Sequence, residues 1–228
     1  MLVKTFCAAV MGLEAITVTV EINIDRGVMF HLSGLADTSI KESYDRIKAA
    51  LTNIGFRMPI SDITVNLSPA DIRKEGSGYD LPLAIGILAA DCKVESDRLK
   101  EYMLVGELGL DGSLRPIRGA LPIAIRARKE HFRGLIVPHE NVREAAVVNN
   151  LDVYGMTACR MLSDSLMAAT NTNPRKLTRV PSSISSNASL TSTLLMLRDK
   201  RMLNVHLRWL QQVGITLLWW DLREAVSR

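Results

Sequence analysis

Apolar residues recur at two periods along the first 170 positions. Residues 16–24, Ile-Thr-Val-Thr-Val-Glu-Ile-Asn-Ile, alternate apolar with polar, the two-residue period of a half-buried strand. Residues 3–10 before them read as another strand. Asp25-Arg26-Gly27 is a hairpin signal whose glycine can take the left-handed position, and residues 28–32 form the returning partner strand. His31 in that strand carries no chemistry, because no second His or Cys lies at a useful spacing. The period then changes. Ile40, Tyr44, Ile47, Leu51 and Ile54 repeat at helical spacing, which predicts an amphipathic helix over residues 39–54. Ser39 with Glu42 makes a capping box and Gly55 stands at C′. Lys41, Glu42, Asp45, Arg46 and Lys48 form its solvated face.

The next stretch organises the rest. A strand over residues 63–67 leads into Lys74-Glu75-Gly76-Ser77-Gly78-Tyr79-Asp80, and an apolar helix follows from Leu81 to about Ala90. Asp80 is a good N-cap, and Pro82 falls in the first turn, where a missing N–H costs nothing. Gly86 inside the helix costs roughly 1 kcal/mol against Ala, so it implies close packing on the sheet. Strand, glycine loop and helix bring backbone N–H groups to one point, a geometry that holds an anion or an active serine. The same residues also serve as a tight turn that packs a helix on a sheet.

Beyond it, residues 102–105 and 135–138 read as apolar strands and residues 151–154 as a last strand. Segments 106–110 and 113–117 flank Asp111-Gly112, a favoured two-residue hairpin turn. Arg118-Gly119 leads into a helix over residues 120–129, and shorter helices follow over 141–148 and near 160–168. Strands and helices mix without strict alternation. The pattern predicts an α/β fold of the α+β kind, a two-layer sandwich with helices mainly on one face of a mixed sheet.

Composition changes the picture in one place. The net charge of +4 is unevenly spread: residues 1–171 hold 19 Lys+Arg against 21 Asp+Glu, and residues 172–228 hold 9 against 3 together with all three Trp. The two parts need separate accounts. No apolar run reaches the ~18 residues that cross a bilayer. The first residues lack the basic-then-apolar order of a signal peptide. Cys7, Cys92 and Cys159 form no metal or disulfide pattern. A cytoplasmic chain with no membrane partner, no metal and no small-molecule substrate is expected.

The motifs of the first 170 residues are specific in combination. Lys74-Glu75-Gly76-Ser77, residues 79–88, Gly106-Glu107-Leu108, Asp111-Gly112 and Arg115-Pro116-Ile117-Arg118-Gly119 resemble the N-terminal domain of the ComM/YifB competence-protein family, the magnesium-chelatase-related group of AAA+ ATPases. Residues 66–71 and 136–141 also look like this family. The resemblance implies a ribosomal-protein-S5-domain-2-like fold shared with the Lon protease domain. It also implies, for intact members, a ring helicase that uses ATP and Mg and promotes branch migration when transforming DNA is recombined. Lys74, Glu75, Gly76, Ser77, Gly78, Asp80, Arg115, Arg118 and Gly119 are then the candidate loop residues, either structural or in contact with DNA. Lys74, Arg73, Arg115 and Arg118 form a basic patch if the two loops converge. Arg118 is expected to pair with Glu75, Asp80 or Glu107, or else to face DNA.

The Lon relationship raises a Ser–Lys peptidase as an alternative. That mechanism needs a hydroxyl nucleophile and a lysine of depressed pKa to take its proton. Aligning the two loops on Lon's puts Gly78 at the serine position and Ile123 at the lysine position. Ser77 lies one residue away, and Arg126 and Arg128 in the following helix cannot act as bases. The domain is therefore expected to be non-catalytic. A further alternative is an independent interaction module.

Residues 171–193, rich in Ser, Thr, Asn and Pro, read as a linker. In the family the ATPase module begins here with a P-loop, G-x-x-x-x-G-K-S/T. The chain holds no such motif, so no cofactor is expected in it, and residues 194–228 form a basic, Trp-containing tail. A one-nucleotide frame shift accounts for that tail. Read one base out of step, Trp219-Trp220-Asp221 forces Val-Gly, and synonymous codons through Arg228 permit V-G-P-P-G-S-G-K-S, a complete P-loop.

Overall fold

The computed structural model describes residues 2–94, 97–161, 163 and 178–180. All belong to the unit Met1–Ile184, and the tail and its frame-shift account lie outside the described residues. The alternating segment becomes two long strands, β1 (Leu2–Met11) and β2 (Glu14–Asp25), paired antiparallel from Leu2↔Asn23 to Met11↔Glu14. Gly12 and Leu13 make the turn between them, with Gly12 at φ +62°, the positive first position of a two-residue hairpin.

The hairpin expected at Asp25-Arg26-Gly27 does not form. Strand β3 (Phe30–Ser33) pairs in parallel with β4 (Asp62–Ser68), and β4 is the antiparallel neighbour of β2. Strand β2 thus has partners on both sides. The side chain of Asp62 accepts the Met29 N–H at 2.6 Å and carries the chain past β4 to its far edge. The predicted long helix is also broken. Helix α1 (Thr38–Lys41) is capped by Asp37, which accepts the Ile40 N–H at 2.9 Å, so Ser39 is not the cap. Ser43 Oγ donates to the Ile40 carbonyl at 2.6 Å and competes with the helical ladder just before α2 (Ser43–Asn53). Gly55, at φ +92°, does close α2: its N–H reaches the Thr52 carbonyl and Phe56 N–H the Leu51 carbonyl, the paired bonds of a Schellman end.

Helix α3 (Asp80–Ala90) is buried along its whole length, lying between the sheet and α2. Such a helix needs apolar residues all round, which is what its sequence shows. Strand β5 (Tyr102–Leu104) follows, then the hairpin of β6 (Glu107–Leu108) and β7 (Leu114–Arg115). Gly109 N–H and the Ser113 carbonyl close it around three residues, with Gly112 left-handed at φ +81°. The turn is therefore a bulged three-residue loop, not the two-residue Asp111-Gly112 turn. Helix α4 (Ala120–Lys129), strand β8 (Gly134–Pro138), the short α5 (Val142–Ala145) and β9 (Asp152–Met156) complete the predicted order, and β10 (Thr178–Val180) pairs with β9 inside the segment read as linker. Of the helix expected near residues 160–168, positions 159–161 and 163 are helical and the remainder lies outside the described residues.

The eight strands run in the order β10-β9-β8-β5-β1-β2-β4-β3. The fold is mixed α/β, but helices cover both faces. Thr5 Oγ1 donates to the Pro82 carbonyl, and a Cβ on Gly86 would strike Ile22, so α3 lies on the face bearing Thr5 and Ile22. Arg126 Nε donates to Thr17 Oγ1 at 3.2 Å, and Gly119 sits against Val10, so α4 lies on the opposite face. The expectation of helices mainly on one face is therefore corrected. The chain crosses from β4 to β5 over one face and from β5 to β8 over the other.

Candidate functional site

Six strands, β1, β3, β4, β5, β8 and β9, run in one direction, and only β2 and β10 oppose them. Their carboxyl ends therefore open at one edge of the sheet. The loops that leave this edge are residues 34–37, 69–79, 106–119 and 139–141, and they include both sequence motifs. The connection that leaves β4 crosses the face of α3, and the one that leaves β5 crosses the face of α4. In open α/β sheets ligands bind outside the carboxyl ends of the strands. Segment 78–81 is joined to the end of β5: Gly106 N–H donates to the Gly78 carbonyl at 3.0 Å and Leu81 N–H to the Gly106 carbonyl at 3.0 Å.

Each predicted residue has a definite place. Lys74 is fully buried, and its ammonium donates to the Gly34 carbonyl at 2.9 Å and to the Pro69 carbonyl. Burial holds its pKa below the ordinary lysine value, with Asp71 acting against the shift. Lys74 thus leaves the basic patch; it fastens loop 69–76 to loop 34–37. Gly76 N–H donates to Asp37 Oδ2 at 3.1 Å, and Asp37 N–H to the Lys74 carbonyl at 3.1 Å, so the glycine loop is stitched to the start of α1. Glu75 pairs with Arg73 at 3.1 Å, both exposed. Ser77 Oγ donates to Glu107, and Glu107 also faces Arg115 at 3.8 Å. A Cβ on Gly78 would lie 3.7 Å from Ile117. Ile123 is buried in α4.

Asp80 is not an N-cap. Tyr79 holds that position without a side-chain bond, while Asp80 begins the helix with its side chain fully buried. Arg46 meets it with a two-pronged contact, Nε and Nη2 each 3.0 Å from a carboxylate oxygen, and the Leu108 N–H adds a third donor at 3.2 Å. Burial raises the Asp80 pKa above the ordinary carboxylate value, and Arg46 opposes that rise. Arg46 was read as part of a solvated face; nothing in its helical spacing marks it as the partner of a residue 34 positions away. Asn141 was also missed as a positioning residue: its Oδ1 accepts the Ile117 N–H at 2.9 Å and its Nδ2 donates to the Ile117 carbonyl at 2.8 Å. It holds the segment that presents Arg118.

Arg118 is exposed and pairs with none of Glu75, Asp80 or Glu107, whose partners are Arg73, Arg46 and Arg115. The expected internal pair is corrected. Gly119, left-handed at φ +79°, turns the chain into α4. Beneath the edge, burial pushes the Cys7 thiol up to about 12. The phenol of Tyr79 is likewise raised by burial and has no partner among the described residues. At neutral pH the edge holds no activated nucleophile among these groups.

The family model for subunit ChlI of Mg-chelatase matches residues 20–141, which takes in both loops and the strands that present them. The chain belongs to this Mg-chelatase-related family. An uncharacterized protein of Mycobacterium tuberculosis is 40% identical over 168 residues, 73% of the chain and 33% of that relative. Competence protein ComM of Haemophilus influenzae is 42% identical over 150 residues, 65% of the chain and 29% of ComM. YifB of Escherichia coli is 43% identical over 142 residues, 62% of the chain and 28% of YifB. The chain thus spans about a third of the length of these relatives. At greater distance, Lon protease 2 of Bacillus subtilis is 26% identical over 126 residues, 55% of the chain and 22% of the protease. No helix among the described residues is long and apolar enough to cross a membrane, and no cluster of three or more metal-ligating side chains occurs among them.

Proposed function

We propose that residues 1–170 are a non-catalytic scaffold domain of a ComM-like AAA+ ATPase, with the S5-domain-2-like, Lon-like fold, and that their carboxyl edge meets a nucleic-acid backbone within a ring of intact subunits. The observation that carries the non-catalytic part is where Ser77 and Lys74 spend their hydrogen bonds. Ser77 donates to Glu107, and the Lys74 ammonium lies buried on two carbonyls. A Ser–Lys mechanism needs a lysine that takes the serine's proton. Gly78 and Ile123 occupy the positions that the Lon resemblance assigns to the dyad.

ATP and Mg, implied for intact members, do not fit the residues present. The sequence holds no P-loop. The glycine loop is no substitute, since its Gly76 N–H is taken by Asp37 and its lysine is turned inward. No step through a nucleotide is derived for this chain. Two measurements test the reading. A fluorophosphonate probe should leave Ser77 unlabelled and peptide substrates should stay intact; labelling with cleavage makes the domain a peptidase. Calorimetry should find no ATP binding at micromolar concentrations; binding lost on Lys74→Ala makes loop 74–78 a phosphate site.

A further inference from the structure

Of the exposed arginines at the carboxyl edge, Arg73 is paired with Glu75, and Arg115 and Arg118 are in different circumstances. Arg118 has no acidic partner among the described residues. Arg115, 63% exposed, faces Glu107 at 3.8 Å, and Glu107 is 29% exposed. The other oxygen of Glu107 accepts from Ser77. One carboxylate therefore anchors loop 74–79 and occupies Arg115 together. We propose that Glu107 gates this edge: it holds Arg115 back from an anionic ligand, and a phosphodiester backbone drawn to Arg118 must displace Glu107 to engage Arg115. The inference rests on the nucleic-acid reading of the edge and adds to it a regulator that the reading does not require.

The geometry favours a loose gate. A separation of 3.8 Å at this exposure is a weak surface pair, open to competition by a ligand with several charges. Arginine offers planar, two-pronged contact to a phosphate, so an engaged Arg115 gains more from the ligand than from one distant carboxylate oxygen. The other acidic groups of these loops have contacts of their own, and the Asp111 carboxylate also feels the charge of Arg115. Glu75 pairs with Arg73, Asp80 with Arg46, Asp111 accepts from Ser113, and Glu144 accepts the Leu121 N–H. Among the ion pairs of these loops, Glu107–Arg115 is the longest and so the most open to exchange.

The test uses the full chain and a fluorescent 20-nucleotide single-stranded DNA, its duplex, the RNA of the same sequence and a polyglutamate of matched charge. Glu107→Gln keeps an acceptor for Ser77 and removes the charge that holds Arg115. It is expected to tighten DNA binding about threefold to fivefold, in line with a weak surface pair, and to steepen the dependence on log salt by about one. In an Arg115→Gln background the same change is expected to have no effect, because there is no gated arginine left. Glu107→Asp, which shortens the arm, is the second variant should the first lose its fold by circular dichroism; it should tighten binding in the same direction. Comparable gains on DNA and RNA mark the shared backbone chemistry, and a gain on one alone names the source. Equal tightening with and without Arg115 overturns the gate, as does unchanged affinity in both Glu107 variants. If Arg118→Ala still weakens DNA in that case, the nucleic-acid reading stands without the gate. Binding of polyglutamate as tight as DNA, or no binding of any of these probes, overturns both.

Discussion

Replacing Arg46 by alanine leaves a carboxylate in the interior with one donor where it had three. The Asp80 side chain is fully buried and Arg46 is 23% exposed, so solvent reaches only the arginine side of the pair. Taking away one member of a buried ion pair costs about 3–5 kcal/mol, because the charge left behind keeps its desolvation penalty. That is a large part of the ~5–15 kcal/mol that holds a typical domain folded. The cost depends on pH in a defined direction. Burial raises the folded-state pKa of Asp80 above its unfolded value, so folding binds this proton more tightly. Stability from the group is gained as pH falls through the folded pKa and lost as pH rises through it. Without Arg46 the folded pKa rises further. Arg46→Ala should therefore be strongly destabilised at pH 7.5 and much less so at pH 4.5, measured against wild type by urea denaturation at each pH. Arg46→Ala combined with Asp80→Asn should recover stability at pH 7.5, because no charge remains to be buried. A deficit below 1 kcal/mol at pH 7.5, or one of equal size at both pH values, refutes the argument.

Two other substitutions probe the scaffold. Lys74→Met removes a buried charge but strands the Gly34 and Pro69 carbonyls; the stranded acceptors should dominate and lower the urea midpoint, by about 2 kcal/mol in stability, whereas a more stable variant would show that burying the ammonium is the larger cost. Gly86→Val drives a side chain into Ile22, with Thr5 also within 3.4 Å of the new Cβ; overpacking should cost about 1–3 kcal/mol, read as a fall in melting temperature, and an unchanged melting point would mean that the helix–sheet spacing is slack.

Local structure is legible in the sequence and long-range partners are not, for a physical reason. The period-two pattern of β2 and the helix that follows Arg118-Gly119 are properties of neighbouring residues, and both elements stand where those signals place them. The partner of β3 is not such a property. Asp25-Arg26-Gly27 carries a good turn signal, yet β2 was already paired on both sides, and the edge beyond β4 was the open place. Asp80 shows the same limit in chemistry. Its residue type and its position before an apolar run are those of a cap, but the helix start is buried, and a buried carboxylate recruits an arginine instead. The inward turn of Lys74 is not legible in the sequence either, because it depends on two carbonyls from loops far away in the chain or hidden by the turn geometry.

The side chains that look most like catalytic groups are the ones the fold consumes. Lys74 is a buried staple, Ser77 is tied to Glu107, Asp80 is half of an internal pair, and Cys7 is held in its thiol form. What the carboxyl edge keeps for a partner is charge on exposed arginines. Arg46 and Arg118 thus make a controlled comparison, since the same substitution should have opposite consequences. Arg118→Ala removes an exposed side chain with no acidic partner among the described residues, so stability should stay within about 0.5 kcal/mol of wild type. Its effect should fall on binding: weaker affinity for the 20-nucleotide DNA, with the salt dependence reduced by about one ion. A marked loss of melting temperature in Arg118→Ala would show that this arginine holds the fold after all, and unchanged DNA affinity and salt slope would remove it from the contact surface.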